Sequence, residues 1–105
     1  MSLPTDSKMR KQIPLYTGLF KFFPDALAAI AHRSHVGSKQ HHPEKGVEWD
    51  RSKSTDELDA MMRHVLDEDW EAVGWRACAN LQKKIEQGYD PYKEKESANE
   101  EGKHD

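Results

Sequence analysis

Three segments of the chain place apolar residues at the spacing of an α-helix. In the second segment they follow i, i+3, i+4, i+7 and i+8, at Leu58, Met61, Met62, Val65 and Leu66. The first segment has a shorter stripe of Leu27, Ile30, Ala31 and Ser34. The third has Trp70, Val73, Gly74, Ala77, Leu81 and Ile85. These patterns predict an all-α domain over residues 14–89, a small bundle of three principal helices.

Capping residues indicate where these helices begin and end. Pro24 suits the first position of the first helix, and Gly37 can end that helix in a left-handed conformation. Ser54 and Glu57 form a capping box at the start of the second helix. Gly88 ends the third. The predicted helices therefore cover about residues 24–36, residues from 54 onward, and residues from 67–69 to about 87.

Polar segments flank the helices and connect the first two. Residues 1–13 are predicted to be flexible, and residues 90–105 to form a disordered polar tail. The connection 37–53 is long for a compact domain, which is typical of a functional loop. We expect Trp49 to anchor that loop by burying its ring.

The aromatic side chains ahead of the first helix have two interpretations. Phe20, Phe22 and Phe23 are expected to fill the core. The alternative is that they stack on a base, because aromatic faces accept bases without sequence preference.

The third helix carries a second apolar side, formed by Ala72, Trp75 and Ala79. A helix that is apolar on two sides is buried on two sides. Only 35% of the 105 residues are hydrophobic, so the core is lean. We therefore expect a homo-oligomer that assembles through the third helix.

Composition narrows the class of protein. The net charge is −3, and without the acid-rich tail the chain is close to neutral, which argues against direct DNA or RNA binding. The single cysteine, Cys78, excludes an internal disulfide, and its apolar surroundings indicate a buried small side chain. No membrane span or signal peptide is evident. A cytoplasmic protein is expected.

The segment from Trp49 to Asp59 carries the strongest chemical pattern. Arg51 and Lys53 precede a helix start, where cations and unpaired backbone N–H groups favour phosphate. Asp56 and Asp59 lie one turn apart and are oxygen ligands that suit Mg²⁺. The structural alternative is that Asp59 simply pairs with Arg63 at i+4 and that Ser54 caps the helix.

Histidines are concentrated between positions 32 and 64. Their spacing does not favour a zinc site, because no cysteine partner or His-Glu-x-x-His pattern accompanies them. His41 or His64 is expected to contact a phosphate or a base. Ser34, on the inner stripe of the first helix, is interpreted as a helix contact or, alternatively, a ligand contact.

An ordered series of motifs resembles one phage domain family over residues 11–87. The family is the N-terminal domain of the dATP/dGTP diphosphohydrolases, which are related to the MazG-like all-α pyrophosphohydrolases. The motifs are Pro14-Leu15-Tyr16-Thr17-Gly18, Phe22-Phe23-Pro24-x-Ala26-Leu27, Ser34-x-Val36-Gly37-x-x-Gln40-His41, Trp49-x-Arg51-x-Lys53-Ser54-x-Asp56-x-x-Asp59, Arg63-His64 and Gly74-Trp75-Arg76-Ala77.

Two positions depart from the family pattern. Ser38 stands where an asparagine is frequent, and Glu57 stands where a histidine is frequent. The chain also offers only Asp56 and Asp59 where the MazG-like enzymes carry two pairs of acids. Further metal ligands would have to come from Glu48, from Asp50 or from a second subunit.

The resemblance implies hydrolysis of purine dNTPs to dNMP and pyrophosphate, in the host cytoplasm if the chain is phage-encoded. Asp56 and Asp59 would hold Mg²⁺, and His41 or His64 would orient water or the base. Arg51, Lys53 and Arg63 would neutralise phosphates. Gln40, Ser34 and Trp49 would contact the substrate. The alternative is a non-catalytic nucleotide-binding or protein-interaction module of a phage or prophage.

Overall fold

The computed structural model describes residues 3–41, 43–51 and 57–93. The regular secondary structure of these residues is helical, and they contain no strand. A short helix, α1 (Ser7–Arg10), precedes a π-helical turn (Tyr16–Phe20). The principal helices are α2 (Pro24–His41), α3 (Glu57–Leu66) and α4 (Trp70–Glu86). The prediction of a small all-α fold with three principal helices is confirmed. The predicted tail beyond residue 93 lies outside the described residues.

Some helix ends are set by capping residues that lie next to them in the sequence. Asp69 caps α4 by accepting the Ala72 N–H, and Gly88 adopts φ +110° just after its end. Asp6 caps α1 within the segment predicted to be flexible. The end of α2 was predicted wrongly: the helix continues through Gly37, whose φ is not positive, to His41. The predicted cap Ser54 lies outside the described residues.

Helix α4 is the centre of the fold. Both α2 and α3 pack against it, but within the described residues α2 and α3 do not contact each other. The three principal helices therefore form a small bundle in which α2 and α3 both pack on α4. At the α2–α4 contact a Cβ on Gly74 would come within 2.7 Å of Ile30 Cδ1, so glycine permits the close approach.

The two apolar sides of α4 are only partly as predicted. On the predicted inner stripe, Val73, Gly74 and Ile85 are half-buried. Ala72 and Ala79 are buried and Trp75 is half-buried, so their side faces the other helices. Trp70 and Leu81, predicted to face inward, are 59% and 49% exposed. Alanines let two neighbouring helices approach α4, which explains the inward side physically. The predicted interface at Ala72, Trp75 and Ala79 is therefore wrong, because this side is already covered within the chain.

The other apolar groups are only partly covered. On α3, Met61 and Val65 are half-buried, whereas Leu58, Met62 and Leu66 are exposed. Phe20, Phe22 and Phe23 are also exposed, so the prediction that they fill the core is wrong. Among the helices of the described residues, the π-helical turn that contains Phe20 packs on α2 alone. Cys78 is exposed rather than buried.

No helix in the described part of the chain is both long enough and apolar enough to cross a bilayer.

Candidate functional site

A pocket of about 190 Å³ occupies the space above α4 that α2 and α3 leave open. It exists because these two helices flank α4 without touching. The segment 48–50, which follows α2, closes one side of it. The lining consists of Arg33, Ser34, Gly37, Ser38, Gln40 and His41 from α2, Glu48, Trp49 and Asp50 from the loop, His64 from α3, and Ala72, Trp75 and Arg76 from α4.

Two indole rings meet in this pocket. The rings of Trp49 and Trp75 lie edge to face, with centroids 5.6 Å apart. Trp75 Nε1 donates a hydrogen bond of 2.6 Å to Ser34 Oγ. Both rings are half-buried, and their contact holds the loop against α4. An aromatic pair of this kind stabilises the fold by about 0.5–1.5 kcal/mol beyond the contribution of the buried apolar area. Ser34 holds the Trp75 ring in place.

Ser38 fastens the other side of the loop to α2. Its buried hydroxyl donates to the Glu48 carbonyl at 3.3 Å and accepts from the Glu48 N–H at 3.1 Å. This pair of bonds holds the backbone at Glu48 against α2.

We expect Ser38→Ala to lower the free energy of unfolding by about 1–2 kcal/mol, because it removes both bonds to the Glu48 backbone. Urea denaturation followed by circular dichroism measures the change. The exposed neighbour Lys39 provides the control, and Lys39→Ala should stay within about 0.5 kcal/mol of the unsubstituted chain. Equal effects of the two variants would contradict the role of Ser38.

The far end of the loop is held against α4 by charged groups. Arg51 pairs with Glu86, and its guanidinium lies 4.2 Å from the centroid of the Trp49 ring. Lys83 Nζ pairs with the buried Glu57 at 2.5 Å and also donates to the Arg51 carbonyl at 3.4 Å. Glu57 thus acts in a structural ion pair.

The Arg51 hydrogen bond lowers the pKa of Glu86 below its ordinary value of 4.5, and a second bond from Gln82 lowers it further. A depressed folded-state pKa stabilises the fold fully above pH 4.5, and this stabilisation is lost as the pH falls through the lower value. We therefore expect Glu86→Gln to reduce the Tm at pH 7. The difference in Tm between Glu86→Gln and the unsubstituted chain should become smaller below pH 4.5. Thermal melts at a series of pH values measure it. A difference that is constant across this range would contradict the prediction.

The charges around the pocket are balanced. Arg33 and Arg76 oppose Glu48 and Asp50 in the lining. Asp69, at the start of α4, lies 3.8 Å from both Arg33 Nη2 and His64 Nδ1. One carboxylate thus lies near a guanidinium and an imidazole that line the pocket. An anionic ligand in the pocket would lie near the Arg33 guanidinium.

The structure brings together some of the residues predicted from sequence and separates others. Those in the pocket lining are Ser34, Gln40, His41, Trp49 and His64. Arg51 lies beside the Trp49 ring but outside the lining. Asp59 and Arg63 are exposed on α3 and do not line the pocket. Lys53 and Asp56 lie outside the described residues.

The described residues do not supply a magnesium site. Glu48 and Asp50 are the acids in the pocket lining, and Asp59 is not among its residues. Within the ranges that the structure describes, no group of three His, Cys, Asp or Glu side chains could hold a metal ion. Because Asp56 lies outside the described residues, the predicted Mg²⁺ site at Asp56 and Asp59 stays a prediction.

Sequence reasoning missed three important residues of the pocket. Arg33 and Arg76 look like ordinary solvent-exposed charges on helices, yet both line it. Trp75 was assigned to a subunit interface. The Gly-Trp-Arg-Ala motif was the available signal, because it contains both Trp75 and Arg76.

Comparison of the chain with protein-family models, with curated proteins and with solved structures finds no match in any of the three. The resemblance to the diphosphohydrolase domain therefore stays a prediction carried by its motifs. The functional argument depends on the pocket and its residues.

Proposed function

We propose that this chain binds a purine deoxynucleoside triphosphate in the pocket above α4. The observation that carries the proposal is the joint presence of two indoles, Trp49 and Trp75, and two guanidinium groups, Arg33 and Arg76, around one hollow. Indole faces stack on bases, typically contributing about 1–3 kcal/mol per base. Guanidinium groups bind phosphate oxygens with charged, bidentate hydrogen bonds.

The size of the pocket sets the mode of binding. Pockets that enclose a drug-sized ligand measure roughly 300–1,000 Å³, whereas this one measures about 190 Å³. The pocket therefore takes one end of the nucleotide, and the rest lies along its border. The indoles suit the base, which leaves the phosphates to the arginines.

Arg51 influences how a base can stack. Its guanidinium covers part of the Trp49 ring at 4.2 Å, and Glu86 holds it there. A purine that stacks on this face of Trp49 displaces the guanidinium, which then becomes available to a phosphate. Trp75 offers a second ring in the same pocket.

The test is a panel of dATP, dGTP, dCTP and dTTP, with and without Mg²⁺, monitored by calorimetry and by thermal shift. Purine triphosphates should bind more tightly than pyrimidine triphosphates and should raise the Tm, because a ligand that prefers the folded state stabilises it. Trp49→Ala should weaken binding. Failure of all four nucleotides to bind would overturn the proposal.

A second candidate is hydrolysis of the bound purine dNTP to dNMP and pyrophosphate. It is supported by the clustering of motif residues, since Gln40, His41, Trp49 and His64 come from separate motifs of the phage domain family and line one pocket. Water would supply the oxygen that the α-phosphate gains, and pyrophosphate would leave. A divalent metal such as Mg²⁺ added in solution would supply charge stabilisation.

For this candidate the sequence-based assignment predicts that Asp59→Asn abolishes pyrophosphate release, whereas the position of Asp59 outside the pocket lining predicts that release persists in this variant. A pyrophosphate assay with Mg²⁺, beside calorimetry on the same variant, distinguishes the two outcomes. Turnover that survives in the variant would remove Asp59 from the mechanism. Binding without release in the unsubstituted chain would leave the non-catalytic module as the function.

A further inference from the structure

Two cations lie close to the ring of Trp49, the indole that the loop contributes to the pocket. Arg51 Cζ is 4.2 Å from the ring centroid, and Lys83 Nζ is 5.8 Å from it. The negative potential over the face of an indole attracts a cation placed there. A base that stacks on the face covered by Arg51 therefore competes with the guanidinium for the same ring.

The two cations differ in how firmly their partners hold them. Lys83 pairs with Glu57, and these side chains are 24% and 8% exposed. Arg51 pairs with Glu86, and these side chains are 49% and 32% exposed. Water screens an exposed ion pair, whereas a buried charge that loses its partner is strongly disfavoured. Arg51 is therefore the cation that a ligand can displace, while Lys83 stays with Glu57.

Displacement of the Arg51 guanidinium leaves the groups around it with partners. Lys83 Nζ donates a hydrogen bond of 3.4 Å to the Arg51 carbonyl, so α4 continues to hold the main chain there. Gln82 Nε2 donates to Glu86 Oε2 at 2.9 Å, so this carboxylate keeps one donor when the guanidinium leaves. Rotation of the Arg51 side chain alone is then sufficient to uncover the Trp49 ring.

We infer that Arg51 makes stacking on Trp49 depend on phosphate, so that the pocket selects phosphorylated nucleotides against nucleosides and free bases. The inference rests on the proposed function and adds a rule of selection to it. A nucleoside removes the guanidinium from the indole and gives it no new anionic partner. A nucleotide offers phosphate oxygens, which accept charged, bidentate hydrogen bonds from a guanidinium. The same side chain thus opposes one ligand and favours the other.

Arg51→Ala should change the affinities for two ligands in opposite directions. Deoxyadenosine should bind about 2- to 5-fold more tightly, because it no longer has to break a cation–π contact. dATP should bind about 5-fold or more weakly, because a charged hydrogen bond to phosphate is lost. The dissociation constant of deoxyadenosine divided by that of dATP should therefore fall at least about 10-fold. Calorimetry on the full chain measures both constants, after circular dichroism confirms unchanged helix content.

Lys84→Ala is the matched control for this charge change. Lys84 is an exposed cation on α4 whose Nζ lies 5.9 Å from the Tyr89 ring centroid. Neither residue lines the pocket. Both affinities should stay within about 2-fold of those of the unsubstituted chain, because salt screens exposed charges at a distance. If Lys84→Ala changes the ratio as much as Arg51→Ala does, the inference is wrong.

Glu86→Gln tests the hold on Arg51 while the arginine itself remains. Without the ion pair the guanidinium leaves the indole more easily, so deoxyadenosine and dATP should both bind about 2-fold more tightly or better. Weaker binding of both ligands to this variant would contradict the inference.

Failure of the selection rule is distinguishable from failure of the proposed function. If the unsubstituted chain binds dATP and Arg51→Ala changes both affinities in the same direction, the role of Arg51 is overturned and the proposed function stands. If the unsubstituted chain does not bind dATP, the proposed function is overturned and the inference fails with it.

Discussion

Trp75→Ala is expected to lower the free energy of unfolding by about 3–5 kcal/mol, which is the range for truncating a packed aromatic side chain. Trp75 lies on the central helix, contacts the Trp49 ring and donates to Ser34. Typical domains are stable by only 5–15 kcal/mol. The buried apolar residues in the described part of this chain are all alanines, so little other packing compensates.

Two further variants divide this effect into its parts. Trp75→Phe retains a ring against Trp49 but loses the N–H donor to Ser34. It should lower the free energy of unfolding by about 1–2 kcal/mol. Trp70→Ala removes the same side-chain type from the same helix at a site that is 59% exposed. Trp70→Ala should lower the free energy of unfolding by less than about 1 kcal/mol.

Urea denaturation followed by circular dichroism ranks the three variants. The expected order of destabilisation is Trp75→Ala, then Trp75→Phe, then Trp70→Ala. Equal destabilisation by Trp75→Ala and Trp70→Ala would mean that the assignment of the inner and outer sides of α4 is wrong. The experiment thus tests the central feature of the fold as well as one side chain.

The helices could be predicted from sequence wherever their determinants are local. The end of α4 follows from Gly88, which adopts the left-handed conformation that few other residues tolerate. The end of α2 could not be predicted in this way. There Ser38 bonds to the Glu48 backbone ten residues later, a contact that exists only after the loop folds back.

Periodicity identified apolar sides but could not tell which of them faces inward. On one side of α4 the small residues Ala72 and Ala79 are buried, whereas the larger Trp70 and Leu81 on the other side are exposed. Small side chains allow two helices to approach each other closely. Which side of a helix meets a neighbouring helix depends on the tertiary arrangement, and the pattern of one helix does not reveal that arrangement.

The same limitation explains the position of Asp59. The apolar stripe predicted on α3 comprises Leu58, Met61, Met62, Val65 and Leu66. Leu58, Met62 and Leu66 are exposed, and the neighbouring Asp59 does not line the pocket. The buried positions on α3 are Glu57 and Ala60, so the helix is rotated relative to the expectation. His64, one turn beyond Ala60, consequently reaches the pocket.

The pocket arginines provide the second large expected effect. Arg33→Ala and Arg76→Ala should each weaken purine dNTP binding about 10- to 100-fold, because a hydrogen bond to a charged group contributes about 1.5–3 kcal/mol. Both guanidinium groups line the pocket, one from α2 and one from α4. The double variant should bind still more weakly than either single variant.

The nature of the contact is tested by conservative replacement. Arg76→Lys keeps the positive charge but loses the planar, bidentate geometry, so it should restore only part of the affinity. Arg10→Ala is the control, since Arg10 lies on α1 and does not line the pocket. It should leave affinity unchanged. Calorimetry with dATP and dGTP, after circular dichroism confirms folding, provides the measurement.

Arg63→Ala decides between the sequence-based and the structure-based assignments of the phosphate-binding groups. The resemblance assigns Arg63 to the phosphates, whereas the structure leaves it exposed on α3 outside the pocket lining. If the pocket binds the triphosphate through Arg33 and Arg76, Arg63→Ala weakens binding much less than either pocket substitution. If Arg63→Ala instead lowers the affinity for the triphosphate as much as Arg76→Ala does, the phosphates extend across α3. Asp59 would then lie within reach of the substrate.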